Sequence, residues 1–145
     1  MTIRPGLNQQ FVVEPKLESI AIIQAAIENA AESLLDKRRL FQLTMAVEEL
    51  MTNIVRHSGT SEPVDVSINQ DQQTFSVRLT DKGPAFDPFR QAPKPALEAG
   101  LEERPIGGLG VHLVQKMLDK VEYRRQGEQN LVTLTVNLQG SEHQA

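Results

Sequence analysis

Residues 46–59 read AVEELMTNIVRHSG: two adjacent glutamates, an amide one turn further on, and a histidine just before a Ser-Gly stop. At about 100° per residue, the segment from about Lys37 to His57 reads as one helix, with Asp36 as its N-cap and SGT at 58–60 as its end. Leu40, Leu43, Val47, Leu50 and Ile54 fall on one stripe, which is the core face. Ala46, Glu49, Asn53 and His57 form a second stripe about a quarter-turn away, while Glu48 and Thr52 point nearly opposite the core. The two glutamates are therefore not equivalent. Glu49 borders the buried face beside Asn53, and Glu48 faces water. A carboxylate and a carboxamide at i and i+4 beside a core can act as a proton acceptor and a hard oxygen ligand for magnesium. An ordinary solvated flank, with His57 near the negative end of the helix dipole, accounts for the same residues.

Toward the N-terminus, FVVE at 11–14 is a short β-prone run ended by Pro15, and LESIAIIQAAIENAAESLL at 17–35 has helical spacing. That helix is apolar nearly all round at Ile20, Ile22, Ile23, Ala25, Ala26 and Ile27, which suits either deep burial or a contact surface. On the other side, VDVSIN at 64–69 and TFSVRLTD at 74–81 alternate apolar and polar residues around a turn in QDQQ. Residues 82–106 hold five of the eight prolines and no periodicity, so they read as a long loop, which in a small domain is either functional or disordered. Helix is expected again from about Leu109 to Asp119, then strands in KVEYRRQ and NLVTLTVNL around a turn at GEQN, and a frayed tail at 139–145.

Whole-chain properties narrow the function. At 145 residues, with 39% hydrophobic and 23% charged residues, the chain fits one domain, 1–145, with an ordered core over about 11–138. A net charge of −4 with scattered basic residues disfavours direct nucleic-acid binding. The absence of cysteine excludes disulfide frameworks and thiolate metal sites. Neither a signal peptide nor a membrane-length apolar run is present, so a cytoplasmic protein without membrane contact is expected.

Two further stretches carry chemistry. In LTDKGPAFDP at 79–88, Asp81 ends a strand; there it could accept a hydrogen bond from an exocyclic amine such as that of adenine, although any strand enters a turn this way. GGLG at 107–110 opens a helix, where bare backbone amides can hold phosphate, or where a loop simply needs positive φ. A P-loop is excluded because Val111-His112 follows the last glycine, and a dinucleotide fingerprint because Leu113 stands where its third glycine belongs.

Taken in order, Glu-x-x-x-Asn on a helix, Asp-x-Gly after a strand, a long loop and Gly-x-Gly opening a helix resemble the Bergerat ATP-binding fold. Within that superfamily, AVEELMTNIVRHSG, DKGPAFDP and ERPIGGLGVHLVQKMLDKVEYRR resemble the boxes of bacterial anti-sigma factor serine/threonine kinases, and the likeness spans about residues 11–138. The resemblance implies an α+β fold, a two-layer α/β sandwich whose mixed, mostly antiparallel sheet is covered on one face by helices. It implies ATP and Mg2+ as cofactors, with Glu49 as the general base and Asn53 as the magnesium ligand. Asp81 would bind the adenine amine, Gly83 would admit the base, and residues 82–106 would form the ATP lid. Gly107, Gly108, Leu109 and Gly110 would surround the phosphates, with Arg104 beside them. The partners it implies are a STAS-type anti-anti-sigma protein, a sigma factor and a second copy of the chain. The relatives with coupled domains or a phosphoacceptor hairpin need more chain than these residues provide, so a freestanding kinase is the expected member. A nucleotide-gated binding module of the same fold without kinase activity is the alternative.

Two departures stand out. Ala85 occupies the second glycine position of the Asp-x-Gly-x-Gly box, and would be strained there if positive φ is required. The Gly-Thr that commonly helps to hold the adenine aspartate is missing, leaving Thr133 as its replacement.

Overall fold

Asp36 caps the longest helix among the described residues, its side chain accepting a hydrogen bond from the Arg39 backbone N–H at 2.8 Å. In the computed structural model, which describes residues 8–91 and 114–138, this helix is α2, Lys37–His57. It ends at Ser58, where Gly59 turns the chain away with φ 63°, a conformation that side chains with a Cβ rarely adopt. Before it come strand β1 (Asn8–Val13) and helix α1 (Ser19–Ala31). After it come β2 (Val64–Gln70), β3 (Thr74–Asp81), the one-turn helix α3 (Pro88–Gln91), β4 (Lys120–Gln126) and β5 (Gln129–Asn137). Residues 114–117 are helical as well.

The strands form one five-stranded sheet in the order β1-β2-β3-β5-β4. All its pairings among the described residues are antiparallel, so the expected sandwich is present but its sheet has no parallel contribution there. Alternation sets its two faces. Val64, Val66 and Ile68 of β2, Phe75, Val77 and Leu79 of β3, and Val132, Leu134 and Val136 of β5 all point to one side and are buried. Ile23, Ile27 and Ala31 of α1 and Leu43, Val47, Leu50, Met51 and Ile54 of α2 join them in one core, closed by Val114 and Leu118. Two tight turns keep this register. Asp71 Oδ1 accepts from the backbone N–H groups of Gln73 and Thr74, both at 2.7 Å, and Gly127, with φ 61°, opens the two-residue turn between β4 and β5.

Several boundaries differ from those read in the sequence. β1 starts at Asn8, because its pairing with β2 continues to Asn69. α1 covers Ser19–Ala31 rather than 17–35; after Ala31 the chain tightens, with Leu34 N–H donating to the Ala31 carbonyl, and swings toward the Asp36 cap. α3 is a helical turn inside the segment read as loop. The predicted helix start at Leu109, most of the predicted lid and the tail at 139–145 lie outside the described residues.

At the end of the molecule where α2 begins, Arg39 ties three elements together. Its Nη2 donates to Asp119 Oδ2 at 3.3 Å and to the Asn137 carbonyl, while Asn137 N–H donates to the same Asp119 oxygen at 2.7 Å. The start of α2 is thereby joined to the end of β5.

Burial assigns opposite roles to neighbouring isoleucines of α1: Ile23 is fully buried and Ile22 is 56% exposed. Urea denaturation should report a loss of about 2–5 kcal/mol for Ile23→Ala. For Ile22→Ala the change should stay within about 0.5 kcal/mol; equal losses at both positions would refute this orientation of the helix.

Candidate functional site

Because α2 turns its leucine stripe to the sheet, its neighbouring stripe lies along the edge of the core. Asn53 is 4% exposed, Glu49 half-buried, and Glu48 and His57 exposed. Two atoms on this stripe are buried without a hydrogen-bond partner among the described residues: Glu49 Oε1 and Asn53 Nδ2. An unmet buried polar atom costs about 1–3 kcal/mol, so such a pair on adjacent turns is a candidate place for a bound group. Burial, and after it the charge of Glu48, pushes the Glu49 carboxyl above its ordinary range, with Arg56 pulling the other way.

One turn beyond Glu49 a cleft opens between the end of α2, the loop after β3, and β5. Leu50, Ile54, Pro84, Phe86 and Val132 give it apolar walls; Asn53, Asp81 and Asn130 add polar groups. His57 stacks on Phe86 beside it, with ring centroids 4.4 Å apart and planes 19° from parallel. Glu49 is not among the lining residues, so the structure joins Asn53 to Asp81 through the cleft and leaves Glu49 one helical turn away.

Asp81 is 6% exposed and firmly held. Its Oδ1 accepts from the Gly83 backbone N–H at 2.9 Å and from Asn130 Nδ2 at 3.1 Å. Its Oδ2 has no partner among the described residues. Asn130 also donates to the Pro84 carbonyl at 2.9 Å, while its Oδ1 accepts from Phe86 N–H, Tyr123 O–H and Arg125 Nη1. Arg125 Nη1 donates to the Gly83 carbonyl as well, at 2.8 Å.

This network corrects one expectation. Thr133 does not hold Asp81: β5 pairs Asn130 with Asp81 and Thr133 with Arg78, three residues along and on the opposite face of the sheet. Thr133 Oγ1 accepts from Arg78 Nε at 3.2 Å instead. The supporting residue that sequence reasoning missed is Asn130, and its signal was the single polar side chain among the inward positions 130, 132, 134 and 136 of β5.

Gly83 is a glycine for a reason visible in the fold. A Cβ there would lie 2.6 Å from Ser58 Cα and 2.9 Å from the Ser58 carbonyl oxygen, so the loop presses directly on the end of α2. Ala85 is exposed, and no residue other than glycine takes a positive φ among those described, so alanine fits without strain. Arg104, Gly107, Gly108, Leu109 and Gly110 lie outside the described residues.

Asn53 fits magnesium through its side-chain oxygen, if the ion keeps phosphate oxygens and water as its other ligands. No group of three or more His, Asp or Glu side chains among the described residues could hold a cation by itself. The unmet atom among the described residues is the amide nitrogen, which calls for an acceptor such as a phosphate oxygen; the two amide orientations serve the two ligands. Among the described residues, no helix is long and apolar enough to cross a membrane.

Comparison with known proteins agrees with this geometry. The family model described as a histidine kinase-like ATPase domain matches residues 13–136. The serine/threonine-protein kinase BtrW of Bordetella bronchiseptica is 32% identical over 101 residues, covering 68% of this chain and 70% of the relative. The serine-protein kinase RsbW of Halalkalibacterium halodurans is 25% identical over 120 residues, covering 79% and 74%. A crystal structure of the RsbU and RsbW domains of a Mycobacterium tuberculosis protein superposes with a TM-score of 0.62 at 12% identity, over 92% of this chain and 32% of that longer one, a likeness of fold.

The raised pKa of Glu49 has a consequence for stability. Between the unfolded and folded values the folded protein binds more protons, so this carboxyl lowers stability as pH rises through the folded value, and the deficit is complete above it. Glu49→Gln should therefore raise the Tm at about pH 8 and have little effect near pH 4. Melting curves at the two pH values decide the point, and a Tm gain that is the same at both would count against it.

Proposed function

The chain belongs to the histidine kinase-like ATPase domain family, among its anti-sigma factor serine/threonine kinases, and from that membership we propose that it transfers the γ-phosphoryl group of ATP to a serine or threonine of a STAS-type anti-anti-sigma protein. The observation that carries the proposal is the pair of unmet buried atoms on α2, Glu49 Oε1 and Asn53 Nδ2, next to a cleft that offers the vacant acceptor Asp81 Oδ2.

In this reading the adenine lies between the apolar walls, and its exocyclic amine donates to Asp81 Oδ2. Asn53 binds at the triphosphate end, through Oδ1 to magnesium or through Nδ2 to phosphate. Magnesium, when bound, neutralises charge on the phosphates. The backbone of Gly107, Gly108, Leu109 and Gly110 surrounds the phosphates, with Arg104 beside them, and residues 82–106 act as the lid. Glu49 Oε1 accepts the proton of the substrate hydroxyl as its oxygen bonds to phosphorus and the bond to the leaving ADP breaks. A carboxylate with a raised pKa is a stronger base, which suits this role. Phosphate on the STAS protein adds charge at the docking surface and weakens that complex, freeing the kinase to hold a sigma factor. The protein acts in the cytoplasm as a homodimer, with the exposed Leu17 just before α1 available to the contact.

Incubation with γ-labelled ATP and the cognate STAS protein tests the chemistry. Label should move to that protein, and Glu49→Gln should slow transfer by about 10²- to 10⁴-fold with ATP binding retained. Tight ATP binding by the wild-type protein with no transfer would leave only a nucleotide-gated binding module. Sedimentation equilibrium should give twice the 16.1 kDa chain mass at micromolar concentration, and a monomer at every concentration would remove the dimer.

A further inference from the structure

The hydrogen bonds of Asn130 go beyond holding a loop. Its amide orientation is dictated: Oδ1 accepts from Tyr123 O–H at 2.6 Å, from Phe86 N–H at 3.2 Å and from Arg125 Nη1 at 3.2 Å, so Nδ2 has to face acceptors. Reversed, the amide would set NH₂ against the Phe86 N–H and the Arg125 guanidinium, which can only donate, and its oxygen against the Asp81 carboxylate and the Pro84 carbonyl. Nδ2 therefore donates to Asp81 Oδ1, which already receives the Gly83 N–H. With one oxygen occupied by two donors, the carboxyl is aimed, and the cleft is left with Oδ2 alone.

We propose that Asn130 is the positioning residue that sets base specificity: held by Tyr123 and Arg125, it presents Asp81 to the cleft as a pure hydrogen-bond acceptor. The cleft then takes a purine with an amine at the six-position and rejects one with a carbonyl there. This rests on the reading of the cleft as a nucleotide site. An amine meets Oδ2 as donor to acceptor. A carbonyl meets it acceptor to acceptor, and a buried pair left unmade in this way is costly. Without Asn130, the carboxyl loses one of its two fixed donors and can turn about χ2. A carboxyl free to turn no longer holds one acceptor oxygen at a fixed place in the cleft, so the amine loses its aligned partner and the carbonyl is no longer opposed at that point. The ratio of adenine to guanine nucleotide affinity is thus the property that depends on residue 130.

Calorimetric titration with ATP and with GTP, each in excess magnesium, on the wild-type protein, Asn130→Ala and Tyr123→Phe is the test, with melting curves to establish that each is folded. The wild-type protein should prefer ATP. Asn130→Ala should reduce that preference by about tenfold, and Tyr123→Phe, which keeps the ring and removes one of the donors that orient the amide, by about threefold. A folded Asn130→Ala protein that keeps the wild-type ratio, or loses both nucleotides in equal proportion, overturns the proposal while leaving nucleotide binding intact. If Asn130→Ala does not fold, Tyr123→Phe decides alone, and an unchanged ratio in that variant overturns it. A wild-type protein that binds neither nucleotide overturns the reading of the cleft, and this proposal with it.

Discussion

The seating of α2 on the sheet is the constraint from which the site follows. Leu43, Val47, Leu50 and Ile54 are buried against the strands, and once they are, the rotation of the helix about its axis is no longer free. Asn53 and Glu49 then fall at the border between core and solvent, where a polar group is shielded enough to be perturbed and still reachable. A rotation of one residue, about 100°, would sink Glu49 or expose Asn53. The cap at Asp36, the Arg39 tie at the start of the helix and the close approach of Gly83 to Ser58 at its end all hold it in place.

The polar groups near the cleft fall into two kinds. Asp81 and Asn130 are buried and bound to each other, Asp81 through Oδ1 alone, so they add definition to the fold. Glu49 is half-buried and Asn53 buried, and each has one atom unmet among the described residues, a cost that a bound group would remove. A carboxylate fixed through one oxygen can aim the other at a ligand atom without moving, whereas a half-buried one with an unmet oxygen can change protonation. That difference suits Asp81 to recognition and Glu49 to proton transfer.

Local patterns made much of this legible in the sequence. Asp36 and His57 bound α2 as its apolar period and cap residue indicate, and the alternation at 64–69 and 74–81 marks two strands because one face of each is buried. The distinction between Glu48 and Glu49 also follows from helical angle alone, and burial respects it. What escaped was set by pairing between distant residues. Asn130 meets Asp81 only through the register of β5 on β3, and nothing near either residue encodes that register strongly enough to choose Asn130 over Thr133. Gly83 was read as making room for a ligand, yet the contact it makes is with Ser58, a residue brought to it by the tertiary fold. The turn at Pro88–Gln91 is too short to show a period.

Charge explains why the helix carries an amide at position 53. The chain has a net charge of −4, and α2 already contributes Glu48 and Glu49 on neighbouring positions. A nucleotide triphosphate adds several more negative charges, and repulsion between charges about 4 Å apart grows from roughly 1 kcal/mol in water to several at a partly buried site. A second carboxylate one turn from Glu49 would aggravate this repulsion and raise the pKa of Glu49 further. A neutral amide avoids it, and can still offer either an oxygen to a cation or an N–H to a phosphate. Arg56, on the same helix and of opposite charge, works against the rise that burial and then the charge of Glu48 impose on the Glu49 carboxyl. The order Glu48, Glu49, Asn53, Arg56 is then a graded sequence of charge, in which the one acid bordering the core is tuned by a flanking acid and base, and the residue turned toward the cleft carries no charge at all.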